Sequence, residues 1–361
     1  MEPQLDTRGP GPGDVSLDEV SLAARNHGMP LEALRYDLTP VGLHYLLVHY
    51  DIPAVDPAAW TLEIDGHVRT PLRLTLEDLL ARPQTTRIVT LECAGNGRAL
   101  LEPRAVSQPW LLEAVGTAAW TGVPLAGLLE EAGVLDDAVD VVFRGLDRGV
   151  EGGLQQDYER GLPVGEAMRE EILLAHAMNG APLLPQHGFP LRLVVPGWYG
   201  MASVKWLTQI RVLDEPFAGY QNVTSYRWRA HEDDPGAPID RIHVRSLMAP
   251  PGIPAFLPRT RHVDAGETEL RGRAWSGAGA IERVEVSDDG GATWHEAELD
   301  PVTEPFAWRG WRFRWRADPG EHVLCCRATD ATGDVQPMAA RWNVGGYTNN
   351  AVQRVDVVVA P

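Results

Sequence analysis

The sequence predicts an α+β protein in two parts, a mixed α+β domain followed by a β-sandwich. Three observations predict it. Between about residues 40 and 230, short β-type runs alternate with helix-like segments. A Pro-rich stretch, HEDDPGAPID, then interrupts the pattern. Beyond it come only alternating strand-like runs separated by turn signals. At 361 residues the chain is long enough for two domains. The boundaries read as an amino-terminal extension over 1–38, the mixed domain over 39–234 and the sandwich over 235–361.

Taken in order, the opening MEPQLDTRGPGPGDVS is polar and Gly/Pro-rich, with no apolar signal core and no twin arginine. It reads as a flexible lead-in. The runs HYLLVHY, WTLEIDG, RIVTLEC, VDVVFRG, LRLVVPG and VKWLTQIRVL follow as strands. LTLEDLLAR and PLAGLLEEAG carry the 3.6-residue apolar spacing of short helices, the second ending in Gly133. After the boundary, HVRSLMAP, TELRGRAWSG, IERVEVSDDGGATWHEAEL, WRFRWRAD, HVLCCRATDATG and QRVDVVV alternate in and out, with Asp289-Gly290-Gly291 as a turn.

Composition excludes several classes. The net charge of −18 repels nucleic acid and anionic lipid, so an anionic substrate needs a local basic patch. No run approaches the roughly 18 apolar residues of a membrane span. Cys93, Cys325 and Cys326 make no disulfide framework, because adjacent cysteines seldom pair. A soluble, cytoplasmic protein is expected. In WRGWRFRWRA, Trp311, Phe313 and Trp315 share one face and Arg312, Arg314 and Arg316 the other. On charge grounds this ladder is a solvated or subunit-facing strand rather than a nucleic-acid surface.

The stretch TLECAGNGR carries the chemistry. An apolar strand that stops in a Gly/Asn turn leaves Cys93 at a rim, where function tends to sit. A lone cysteine is commonly a small core hydrophobe. Arg98, five residues on, would instead push the thiol toward the thiolate that serves as nucleophile or metal ligand. The residues alone leave these roles open.

Cys93-Ala94-Gly95-Asn96 with Arg98, the run QHGFPLR at 186–192 and GMASVKWL at 200–207 together make the chain resemble the sulfite oxidase family of molybdenum cofactor enzymes. LTPVGLHYLLVHYDIP, GLD at 145–147, AMNGAPL at 177–183 and VQPMAARWN at 335–343 extend the likeness from about residue 39 to the end. The resemblance implies a molybdopterin-binding domain followed by an immunoglobulin-like sandwich that mediates homodimerisation. It implies Cys93 as the protein ligand to molybdenum, a soft thiolate suiting a metal already held by two dithiolene sulfurs. Arg98 would hold positive charge near an oxyanion substrate. His49, His187, Arg192, Ser203 and Lys205, with backbone donors around Ser203 and Val204, would hold the pterin phosphate. Asp147 would meet the pterin's amino edge, and Tyr226 matches the family's active-site tyrosine.

The implied reaction is two-electron oxygen-atom transfer, sulfite to sulfate, with electrons leaving to oxygen or a separate redox carrier. No C-x-x-C-H haem attachment site occurs. Two positions depart from the family pattern: Leu47 and Gly345 stand where it shows arginines. An Arg25-Asn26-His27 run lies upstream, either folded back near the cofactor or, as the favoured reading, an exposed turn. There are two alternatives. One is the same cofactor acting on another small oxo-compound. The other, from a different class, is a metal-free thiol enzyme with Cys93 activated by Arg98.

Overall fold

A computed structural model describes residues 15–360. The lead-in expected at the start therefore falls largely outside the described residues. From Ser16 onward the expected extension is built into the body. Ser16 and Glu19 form a reciprocal capping box that starts helix Leu17–Arg25. Glu19, 1% exposed, pairs with Arg104. Farther on, the carbonyl of Leu34 accepts from Arg273 Nε at 2.9 Å and that of Asp37 from Trp308 Nε1 at 2.8 Å. This segment thus straps both later parts.

The middle of the chain is mostly β, with short helices. One five-stranded sheet runs in the order Leu72–Thr75, Thr61–Gly66, Leu207–Leu213, Asp140–Glu151, Leu154–Pro163. Thr61–Gly66 and Leu207–Leu213 lie parallel, and the other neighbours are antiparallel. A second sheet pairs Thr85–Glu92 with Val115–Pro124, and that strand with Leu173–Met178. Helix Leu125–Ala132 buries Leu125, Leu128, Leu129 and Ala132, the 3.6-residue stripe expected. Gly133, at φ +70°, closes it by donating to Leu129 and Glu130. LTLEDLLAR is shorter as a helix than expected, Leu76–Leu80, because its first residues finish strand Leu72–Thr75.

HYLLVHY is not a strand. Residues 44–50 form irregular backbone with a single bridge, His27 to Leu46. Arg25-Asn26-His27 is the run they fold against. Asn26 Oδ1 accepts from Val48 N at 2.7 Å, its Nδ2 donates to Gln108 at 2.9 Å, and Arg25 donates to the Tyr50 carbonyl at 2.8 Å. The exposed-turn reading is therefore corrected. Arg25 and His27 are exposed, but Asn26 is buried and props the segment carrying Leu47 and His49.

Beyond the Pro-rich stretch, two sheets face each other across one apolar cluster. The first orders Arg245–Met248, Gly266–Trp275, Arg309–Ala317 and Glu298–Leu299; the second includes Arg261–Asp264, Gln353–Ala360, Gly320–Asp330 and Ile281–Ser287. Trp311 and Trp315 are buried in that cluster with Phe313 against it, while Arg312 pairs with Glu298 on the outer face. The alternation of WRGWRFRWRA is thus a core face and a solvated face. No helix among the described residues is long and apolar enough to cross a membrane.

Candidate cofactor and active site

Cys93 comes directly after strand Thr85–Glu92. The strand stops because the next residues turn: Asn96 N donates to the Cys93 carbonyl at 2.9 Å, and Gly97 takes φ +89°. Asn96 locks the turn, accepting from Ala114 N at 3.1 Å and donating to Glu92 at 2.9 Å. Glu92 is 1% exposed and accepts from Arg245 at 2.6 Å and from Trp275 Nε1 at 2.7 Å. The sandwich therefore grips the turn that presents the thiol.

Cys93 lines a cavity of about 710 Å³, open solvent included, together with His49, Asp147, His187, Arg192, Ser203, Val204, Lys205 and Tyr226. Arg98 is the one expected site residue that does not line it. Its Nε donates to the Gly345 carbonyl at 2.9 Å, and its guanidinium lies 4.9 Å from the centre of the Tyr347 ring. The guanidinium packs directly over Gly95, where a Cβ would lie 2.8 Å from its carbon.

One part of the cavity wall concentrates positive charge. Lys205 Nζ donates to the carbonyls of Leu47 at 2.8 Å and Gln186 at 3.1 Å. Arg192 donates to those of His187 and Ser203, each at 3.2 Å. Among the described residues neither has a carboxylate at ion-pair distance. Burial, then the neighbouring Arg192, brings Lys205 down to about 7, and burial brings Arg192 to about 10. Burial and nearby positive charge also hold His187 down to about 3 and His44 to about 4. Such a cluster calls for an anion.

Asp147 sits at an irregularity between Arg144 and Arg148 in the Asp140–Glu151 strand. It is 3% exposed and its Oδ1 has no hydrogen-bond partner. Burial raises its carboxyl to about 6, against the pull of Lys205 and His49. His49 Nε2 lies 3.0 Å from Glu151. The expected backbone donors at Ser203 and Val204 are engaged within a tight turn, donating to Gly200 and Ala202 at 3.1 Å each. What remains free to donate there is the Ser203 hydroxyl, whose oxygen accepts from Val195 N at 3.1 Å.

Among hydrophobic residues, Trp110 and Ala114 pack with Cys93, and Tyr45 and Leu47 lie against them. Burial raises the thiol's pKa, and Arg98 only partly opposes this. The expectation that Arg98 pushes Cys93 toward the thiolate is therefore corrected for the protein alone, which weakens the thiol-enzyme alternative. Tyr226 is buried at φ +42°, its ring 5.5 Å from Tyr347. Trp206, also in the wall, holds φ +49°. Two non-glycine residues in the left-handed region of one cavity mark a wall held against local preference.

Sequence reasoning missed His44, Tyr45, Tyr158 and Glu151. His44 is buried with Nε2 unpartnered and its ring 5.9 Å from that of His187. Gly116 makes its space, since a Cβ there would lie 2.6 Å from the His44 ring. Its signal was present in HYLLVHY but was absorbed by the strand reading. Glu151 fixes His49 and Tyr50 and carried no signal.

The free Asp147 oxygen, the unpaired buried cations and the wall thiol fit a phosphate-bearing cofactor that brings a metal. No group of three or more His, Cys, Asp or Glu among the described residues is placed to hold a metal. A metal held by Cys93 would thus bring its other ligands with it. Fold and site define a protein that binds an anionic, metal-carrying cofactor.

Comparison with known proteins narrows the class. Residues 49–221 match the oxidoreductase molybdopterin binding domain and 237–360 the Mo-co oxidoreductase dimerisation domain. The chain is 35% identical over 347 residues to mitochondrial sulfite oxidase of Mus musculus, covering 90% of this chain and 62% of that protein. It is 32% identical over 400 residues to nitrate reductase [NADH] of Solanum lycopersicum, covering 99% of this chain and 44% of that protein. The crystal structure of the sulfane dehydrogenase SoxCD from Paracoccus pantotrophus superposes with a TM-score of 0.79 at 30% identity, covering 92% of this chain and 86% of that one. The chain belongs to the sulfite oxidase family of molybdopterin-binding oxidoreductases.

Proposed function

We propose that the protein is a molybdenum cofactor-dependent oxidoreductase that transfers an oxygen atom to a small oxo-anion, with sulfite oxidised to sulfate as the first candidate. The observation that carries this reading is the sharing of one cavity by Cys93, the unpaired Arg192 and Lys205, and the unpartnered Asp147 oxygen. When bound, the molybdenum cofactor supplies the two-electron redox couple and the oxygen-exchange chemistry. Cys93 would be its protein ligand, metal binding favouring the thiolate that burial disfavours. Arg192, Lys205, His187 and the Ser203 hydroxyl would hold its phosphate, and Asp147 would accept from its amino edge. His49, fixed by Glu151, completes that wall. Tyr226 would face the substrate, and Arg98 would contribute its charge from behind the Cys93 turn.

The carboxy-terminal part is proposed as an immunoglobulin-like sandwich that joins two copies, supported by the match of 237–360 to a dimerisation domain. A cytoplasmic setting is supported by the three buried, unpaired thiols. Electrons would pass to oxygen or a separate carrier. A second reading keeps the cofactor but changes the oxo-compound. Leu47, in place of a family arginine, lines the cavity, and a nitrate reductase is among the relatives.

The test is a visible spectrum of the oxygen-free holoprotein before and after sulfite. A thiolate-to-metal band that bleaches supports sulfite oxidation, and one that persists moves the substrate elsewhere. Cys93→Ser should abolish the band and turnover while leaving a folded dimer with bound pterin. Full activity in that variant would refute the ligand assignment.

A further inference from the structure

The cavity is electrostatically lopsided. Arg192, Lys205 and His187 belong to the wall assigned above to the phosphate. The packing around Cys93 is Trp110, Ala114, Tyr45 and Leu47. Two further guanidiniums lie near and neither offers a fork. Arg98 has Nε on the Gly345 carbonyl, its NH1 3.4 Å from the Gln108 carbonyl and its face on Tyr347. Arg160, 2% exposed, donates to the carbonyls of Gln221 and Ile239 and lies 5.7 Å from the Tyr226 ring centre. The substrate end thus offers the Tyr226 side chain, diffuse positive charge and an apolar surface, but no cationic fork.

A dianion entering such a pocket loses hydration that no fork replaces. A monoanion with an apolar substituent loses less and gains from burying carbon, roughly fourfold in affinity per methylene. We infer that the site is shaped for an organic sulfinate, R–SO2⁻, in preference to sulfite. This inference rests on the oxygen-transfer reading above and names its substrate class. Sulfinate sulfur carries the same lone pair as sulfite, with one oxygen replaced by carbon. The reaction is R–SO2⁻ + H2O → R–SO3⁻ + 2 H⁺ + 2 e⁻. A new S–O bond forms at the sulfur lone pair and sulfur is oxidised. Both protons of water leave to solvent, and the two electrons reduce two equivalents of a one-electron acceptor, for which the bound cofactor would supply the redox couple. Leu47 is the specificity-determining side chain against R.

The experiment measures steady-state oxidation by the molybdenum-loaded holoprotein with ferricyanide as acceptor, using benzenesulfinate, methanesulfinate and sulfite. Benzenesulfinate is expected to exceed sulfite in kcat/KM by at least tenfold, and Leu47→Arg to reverse the order. If Leu47→Arg does not fold, Leu47→Ser is expected to lower kcat/KM for benzenesulfinate more than for sulfite. Calorimetric titration of the oxidised holoprotein should show benzenesulfonate, a product, binding more tightly than sulfate. Sulfite turnover equal to or better than that of either sulfinate overturns the inference and leaves the oxygen-transfer reading standing. Oxidation of none of the three by molybdenum-loaded protein overturns both.

Discussion

Removing Arg245 should destabilise the protein by about 3–5 kcal/mol, the range for breaking a buried ion pair by deleting one partner. In Arg245→Met, Glu92 keeps its bonds from Asn96 and Trp275 but loses its counter-ion at a position 1% exposed. The methionine fills much of the volume, so the loss is electrostatic rather than a cavity. Urea unfolding followed by tryptophan fluorescence reads it directly, since Trp275 donates to the same carboxylate. Glu92→Gln in the Arg245→Met background removes the stranded charge and should recover at least about half of the loss, because an amide is far less costly to bury unpaired than a carboxylate. A loss in Arg245→Met below about 1 kcal/mol, or no recovery in the double variant, would refute the claim that this pair holds the Cys93 turn against the sandwich.

Asp147 gives a pH signature in the cofactor-free protein. Its folded value of about 6 lies above the ordinary 3.8, so its contribution is fully present below about 4 and is lost as pH rises through 6. At about 1.4 kcal/mol per pH unit, Asp147→Asn should gain about 3 kcal/mol on wild type between pH 4 and 7 in urea titrations, and a flat difference would contradict the burial argument. With both proteins cofactor-free, Lys205→Met should be about 1–3 kcal/mol more stable than wild type at neutral pH, since it removes a buried cation without a carboxylate partner; the variant purified as holoprotein should retain less pterin. Gly116→Ala should displace the His44 ring and cost about 1–3 kcal/mol, with pterin content falling in parallel by fluorescence after denaturation.

Legibility in the sequence divides along physical lines. The sandwich strands alternate cleanly because each has one wet and one dry face, as Arg309–Ala317 shows. Val115–Pro124 was not legible. It is a central strand buried on both sides, six of its ten residues glycine, alanine or threonine, and at Gly122 a Cβ would lie 2.0 Å from the Leu174 carbonyl. Its pattern is set by close neighbours rather than by period. HYLLVHY misled for the opposite reason, its alternating apolar residues serving a cavity wall rather than a sheet. The cavity residues were named by motif, but Arg98 was not seen to be clamped by Gly345, because the two are brought together only by the sandwich.

The strap formed by residues 15–38 has a consequence for synthesis on the ribosome. Its helix emerges well ahead of the sandwich: Arg273 and Trp308, which anchor the residues just beyond that helix, are made more than two hundred residues later. At roughly 5–20 residues per second the segment waits tens of seconds for its seat. During that interval Met29 and Leu34, fully buried at the end, have nowhere to hide. This segment of the nascent chain is therefore a natural client for a chaperone, and synthesis of the sandwich is what releases it.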